Sequence, residues 1–150
     1  MAEKFNTIVV GVDGSDHAGE ALEAAADIAE AFSSAVHVVM ATHHASSADW
    51  RATLDQLPQE FWENVDLHAD AHGVLADAER TLGRRGVKCE THLVEDRPAD
   101  ALIGVAEREG ADLIVVGTHG YGAGKRMFLG SVSTKMAHHA PCAVLIAGRR

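Results

Sequence analysis

Five glycines, Gly117, Gly120, Gly122, Gly124 and Gly130, crowd into residues 117–131 together with the hydroxyls of Thr118 and Ser131 and the cations Lys125 and Arg126. Ser133 and Thr134 add two hydroxyls immediately beyond. Glycine carries no side chain, so backbone N–H groups in such a segment can close on an anion. No Asp or Glu interrupts it. The chemistry this composition suits is the grip of a phosphate.

A second turn invites the same reading and fails it. Asp13-Gly14-Ser15-Asp16 follows an apolar run and precedes a helical pattern, so it supplies a turn and helix caps. Its two carboxylates compete with a phosphate for the positive end of that helix. The whole-chain charge sharpens the contrast. Residues 1–112 carry 8 basic and 22 acidic side chains, 8 − 22 = −14, whereas residues 113–150 hold five basic ones and no acid, +5, for the formal −9 of the chain. A carboxylate-free segment within an acidic molecule suits a small anionic ligand. The same balance argues against DNA or RNA as a partner, because their phosphates would be repelled.

Two familiar nucleotide motifs are absent. A Walker A loop requires G-x-x-x-x-G-K-[ST], but Gly124-Lys125 has His119 at the first glycine position and Arg126 after the lysine. A G-x-G-x-x-G turn after the first strand is also missing, since Gly11-Val12-Asp13-Gly14 has the wrong spacing. What remains is Gly117-x2-Gly120-x9-Gly130-Ser131, a long cradle ending where a helix begins.

The elements that must position this cradle are legible from periodicity. Residues 5–12 are rich in β-branched residues, as a strand buried on both faces is; residues 36–42 read as a second strand, a third runs from near Val87 to Leu93, and the apolar runs 113–117 and 142–147 are the fourth and fifth. Ala21, Leu22, Ala25, Ile28, Ala29 and Phe32 recur at helical spacing, and so do Val65, Ala69, Val74, Leu75, Ala78 and Leu82 over residues 64–85. Pro98 opens another helix, with Ala101, Leu102, Val105 and Ala106 on its apolar face. Residues 130–139 form the last helix, stopped before Pro141. Residues 43–49 read as a loop and residues 50–63 as a short helix broken at Pro58. Alternation of strands with helices predicts a parallel sheet covered on both faces by right-handed crossovers. Ligands of such sheets bind beyond the carboxyl ends of the strands, where strand order reverses.

Size and composition bound the rest. A chain of 150 residues with 47% apolar and 23% charged side chains is expected to form one domain over residues 1–150. Its apolar runs are strand-sized, so no membrane span is expected. No basic segment followed by an apolar stretch opens the chain, and Cys89 and Cys142 cannot make a disulfide framework. A reduced, cytoplasmic setting is the expectation.

The spacing Gly117-x2-Gly120-x9-Gly130-Ser131, after Ala111-Asp112-Leu113-Ile114-Val115-Val116, resembles the ATP-binding signature of the universal stress protein family. The likeness runs over essentially the whole chain. Ile8-Val9-Val10-Gly11-Val12-Asp13-Gly14-Ser15 is similar to the family's first strand and Asp turn, and residues 129–133 and 139–146 to its closing helix and strand. Residues 43–63 are the least covered. The resemblance implies a Rossmann-like α/β fold, an open doubly wound parallel sheet of five strands in the order 3-2-1-4-5. It also implies an adenine nucleotide (ATP, or AMP or ADP) with Mg2+ across the switch point. On this reading Gly117, Gly120, Gly130 and Ser131 hold the phosphates, with Thr118, Val132 and Ser133 close by. Asp13 lies beside the adenosine or its metal, Ala41 meets the adenine, and Val12 adds apolar contact. Tyr121-Gly122-Ala123-Gly124 departs from the family's Arg-Gly-Gly-Leu type.

Other constellations are weaker. His68 and His72 are four apart in a helical pattern with Asp66 nearby, but no general-base Glu and no third ligand accompany them. No metal site is therefore expected among the ten histidines. Gly-x-Ser-x-Gly is missing, so no catalytic residue is assigned. His119 is compatible with a phosphate contact and equally with shaping the turn. The closing strand, residues 142–147, is short, apolar and uncharged, and such an edge invites pairing with a second copy. The resemblance implies dimers built this way. Three functions follow: a regulatory ATP-binding module, a slow ATPase in the same pocket with Asp13 as the candidate base, and a nucleotide-free dimeric interaction module.

Overall fold

The computed structural model describes residues 5–42, 69–118 and 130–148. The loop and short helix expected over residues 43–63, the first residues of the helix expected from 64, and residues 119–129 of the glycine segment lie outside these.

Among the described residues nine elements alternate: β1 (Thr7–Gly11), α1 (Asp16–Phe32), β2 (Ala35–Ala41), α2 (Ala69–Arg84), β3 (Cys89–Val94), α3 (Pro98–Glu109), β4 (Leu113–Gly117), α4 (Ser131–His139) and β5 (Ala143–Ala147). All neighbouring strands pair in parallel, in the order β3-β2-β1-β4-β5. This is the expected doubly wound sheet. The chain builds outward from β1 through β2 to β3, then returns to place β4 on the other side of β1. The reversal between β1 and β4 is the switch point, where ligands of this architecture bind.

Both sheet faces are covered, which explains the continuous apolar runs of β1 and β4. Ile8, Val10, Val36, Val38, Leu113 and Val115 pack beneath α1 and α2, which contribute Ala21, Leu22, Ala25, Ala29, Leu75 and Leu82. On the opposite face, Val9, Val39, Ile114 and Val116 pack beneath α3 and α4 through Leu102, Val105, Ala106 and Met136. The run of alanines along α1 lets that helix settle close to the sheet. Ser15 caps α1, its Oγ accepting the Ala18 N–H at 3.2 Å. Among the described residues, no helix is long and apolar enough to cross a membrane.

Element boundaries differ from the sequence reading by one or two residues. β3 starts at Cys89 rather than near residue 87, and α1 starts at Asp16, ahead of the first apolar repeat. β5 lies at the sheet edge, paired with β4 alone among the described strands, and most of its residues are half-buried.

Candidate functional site

Helix α4 begins at the carboxyl end of the sheet without a side-chain cap. Its N-cap is Gly130 in an extended conformation, no acid occupies its first turn, and its first helical bond runs from Thr134 N–H to the Gly130 carbonyl. The amides of Ser131, Val132 and Ser133 precede that bond and point out of the helix end, as the first N–H groups of any α-helix do. α1 differs in both respects, with Ser15 as cap and Asp16 in its first turn. α3 likewise carries Asp100 in its first turn. An anion is drawn to the end that no carboxylate opposes.

Two bonds tie this helix end to the end of β4. The Gly130 N–H donates to the Thr118 carbonyl at 2.8 Å. Ser133, 1% exposed, donates its hydroxyl toward the carbonyls of Thr118 at 3.2 Å and Gly130 at 3.0 Å. The Ser133 hydroxyl thus fixes the mouth of the glycine segment. Such pinning sets where the α4 amides point.

The turn after β1 closes against this mouth. A Cβ on Gly117 would lie 2.6 Å from the His17 carbonyl oxygen, so the missing side chain here lets β4 abut the first turn of α1. His17 Nδ1 and Thr118 Oγ1 are 3.2 Å apart, a hydrogen bond that joins the two turns. His17 was not signalled by any motif; its position in the first turn of the helix after the Asp turn was the available clue. Asp13 accepts the Ser15 N–H on Oδ1 at 2.8 Å, and Gly14 takes a φ of 82°, a left-handed turn that glycine adopts freely. The Val12 N–H donates to Val39 on β2 at 2.9 Å, which leaves Ala41 at the end of that strand.

The residues expected at a ligand therefore fall into three groups. Gly117, Thr118, Gly130, Ser131, Val132 and Ser133 gather around the junction of β4 and α4. Val12, Asp13 and Ala41 lie at the carboxyl ends of the adjoining strands β1 and β2. His119 and Gly120, with Lys125 and Arg126, lie outside the described residues. Asp13 serves as the acceptor of a local turn rather than as the cap of α1, which is Ser15.

A family model described as the universal stress protein family matches residues 4–148. The chain belongs to the universal stress protein family. Within that family, a universal stress protein of Thermus aquaticus is 38% identical over 145 residues, covering 95% of this chain and 98% of the relative. A universal stress protein solved in complex with cAMP superposes with a TM-score of 0.72 at 27% identity, covering 97% of this chain and 98% of that one. The universal stress protein from Archaeoglobus fulgidus in complex with dAMP gives a TM-score of 0.67 at 25% identity, over 94% and 96% of the two chains. The sequence resemblance and the doubly wound fold are thus borne out together.

Proposed function

We propose that this universal stress protein binds an adenine nucleotide, with Mg2+ where phosphates are several, at the mouth between β1 and β4, and acts as a regulatory module. The observation that carries the reading is the start of α4. A glycine N-cap, no first-turn acid and a segment without carboxylates leave three helix amides facing the switch point. Solved relatives in complex with cAMP and dAMP support an adenosine phosphate as the ligand class.

In this arrangement the amides of Ser131, Val132 and Ser133 hold a phosphate, with Gly117, Thr118, His119 and Gly120 around it. Val12 and Ala41 supply apolar contact to the base and sugar. Asp13 stands beside the adenosine or its metal. Turnover is slow or absent, because phosphoryl transfer needs a positioned base and neutralised charge. The glycine segment brings no carboxylate, and Asp13 already accepts a turn N–H. The half-buried edge strand β5 supports a homodimer formed by pairing that strand with its copy. Two free thiols, Cys89 and Cys142, fit a reducing, cytoplasmic setting.

Gly130→Val tests the reading. The extended backbone of Gly130 (φ −66°, ψ 171°) accepts valine, so the fold should persist while a branched side chain intrudes on the phosphate. Calorimetry should show AMP or ATP binding to the parent chain and at least a tenfold loss in the variant. Equal affinity would overturn the proposal.

A further inference from the structure

On the sheet face beneath α3, two histidines and a glutamate converge. β2 reads Ala-Val-His-Val-Val-Met-Ala, and its third residue, His37, is only 8% exposed. An imidazole buried in an apolar row is costly unless its nitrogens are engaged. The β2–β3 register places Glu90 opposite His37, and His92 follows two residues on, hence on the same face. His37 Nδ1 lies 2.9 Å from His92 Nε2 and 3.8 Å from Glu90 Oε2. The other nitrogen of the His37 ring, Nε2, lies 3.9 Å from Glu109 Oε2 at the end of α3.

We infer that His37, His92 and Glu90 form a binding site for a divalent transition metal ion of the Zn2+ class, with Glu109 orienting His37 from behind. Three ligand atoms, one from each residue, lie within 4.8 Å of one another. Tetrahedral zinc with Zn–N bonds of about 2.0–2.1 Å sets its ligand atoms roughly 3.3 Å apart. The two ring nitrogens, which now face each other, must open by about 0.4 Å as the rings swing to let their lone pairs converge, and the Glu90 oxygen must close by about 0.5 Å toward His37 Nδ1. Glu90 can do so cheaply, since its side chain is 67% exposed.

The protonation chemistry suits the ion. Two imidazolium rings at 2.9 Å would repel, so at least one nitrogen of the facing pair presents a lone pair. Burial, the neighbouring His37 and the Arg108 guanidinium hold His92 below the usual histidine range, against the opposing pull of Glu90 and Glu109. When both facing nitrogens turn lone pairs to the metal, His37 carries its proton on Nε2, toward Glu109. Glu109 Oε2, at 3.9 Å, must close by about 1 Å to accept that proton, and a carboxylate bonded in this way behind a ligating histidine fixes its tautomer and strengthens it as a ligand. Two nitrogens and one oxygen favour Zn2+, Ni2+ or Cu2+ over Ca2+ or Mg2+, with an open position left for water. His37 sits four residues before Ala41 on β2, roughly 13 Å along the strand. The site is thus separate from the proposed nucleotide mouth.

The test uses the full chain, freed of metal by chelator and titrated with Zn2+ alone. Zinc should raise the melting midpoint through one site, and Co2+ should give the visible absorption of a tetrahedral ion. His92→Gln should lose the thermal shift and weaken Zn2+ at least tenfold, Glu109→Gln should weaken it about tenfold, and His138→Gln should leave it unchanged. Circular dichroism of metal-free His92→Gln checks its fold; should that variant unfold, Glu90→Gln, altered at an exposed side chain, must show the loss instead. Absence of a zinc shift in the parent chain, or full affinity in the folded His92 or Glu90 variant, overturns the inference.

Discussion

Gly117→Ala isolates why a glycine ends β4. The added Cβ would stand 2.6 Å from the His17 carbonyl oxygen, 2.8 Å from the carbonyl carbon and 3.0 Å from the His17 Cβ. Two of these three atoms are backbone, so no rotamer change relieves the clash. β4 and the first turn of α1 must separate by about half an ångström, in a molecule whose interior packs as densely as a crystal. Overpacking of this kind costs about 1–3 kcal/mol. Taking about 2 kcal/mol, and a slope of about 2–4 °C per kcal/mol for a chain of this size, the midpoint should fall by about 4–8 °C. Parallel urea titrations should show a lower midpoint with an unchanged m-value, because the same surface is exposed on unfolding. The shift should also lengthen the Thr118–His17 contact, now 3.2 Å. An alanine variant that melts with the parent chain would refute the packing argument and leave Gly117 to be explained by ligand approach alone.

Ser133→Ala should cost about 1 kcal/mol in urea unfolding, the net worth of an ordinary buried hydrogen bond; both acceptors keep another donor, Gly130 N–H for the Thr118 carbonyl and Thr134 N–H for Gly130. A loss above about 3 kcal/mol would show that the hydroxyl holds more than the mouth of the loop. In acid, the Lys135 ammonium at 2.7 Å holds the Asp100 carboxyl below its ordinary 3.8, and Arg85 holds Glu30 below 4.5. Depressed carboxyls stabilise the fold above their unfolded values and lose that effect as pH falls through the folded ones, so the melting midpoint should drop below about pH 4. Lys135→Met should flatten that acid limb in a pH series of melts, and an identical limb would contradict the assignment.

The fold was legible because parallel strands buried on both faces advertise themselves. Ile8-Val9-Val10 and Leu113-Ile114-Val115-Val116 are apolar at every position, which leaves little choice but the sheet centre. Helices α1 and α3 were equally plain from the spacing of Ala21, Leu22 and Ala25 and of Leu102, Val105 and Ala106. Strand ends were less so, since Val87 is apolar and buried yet precedes β3. The candidate site was readable as a charge pattern and a glycine spacing, but the duties within it were not. Gly117 clears the way for an α1 carbonyl, and Ser133 turns its hydroxyl inward to two carbonyls. Neither duty leaves a local trace in sequence, because each depends on a partner from another element. The His37–His92 pair is the extreme case: 55 positions separate the two, and strand register alone unites them. By spacing along the chain the paired histidines are instead His68 and His72, of which His68 lies outside the described residues.

Nucleotide binding at this mouth requires the first three amides of α4 to meet a phosphate, and amide NMR reads them directly. Titration of the nitrogen-15-labelled chain with AMP, and separately with ATP and Mg2+, should move the Ser131, Val132 and Ser133 signals saturably and far more than those of the α3 start. If those three signals stayed in place at millimolar nucleotide, the claim would be contradicted.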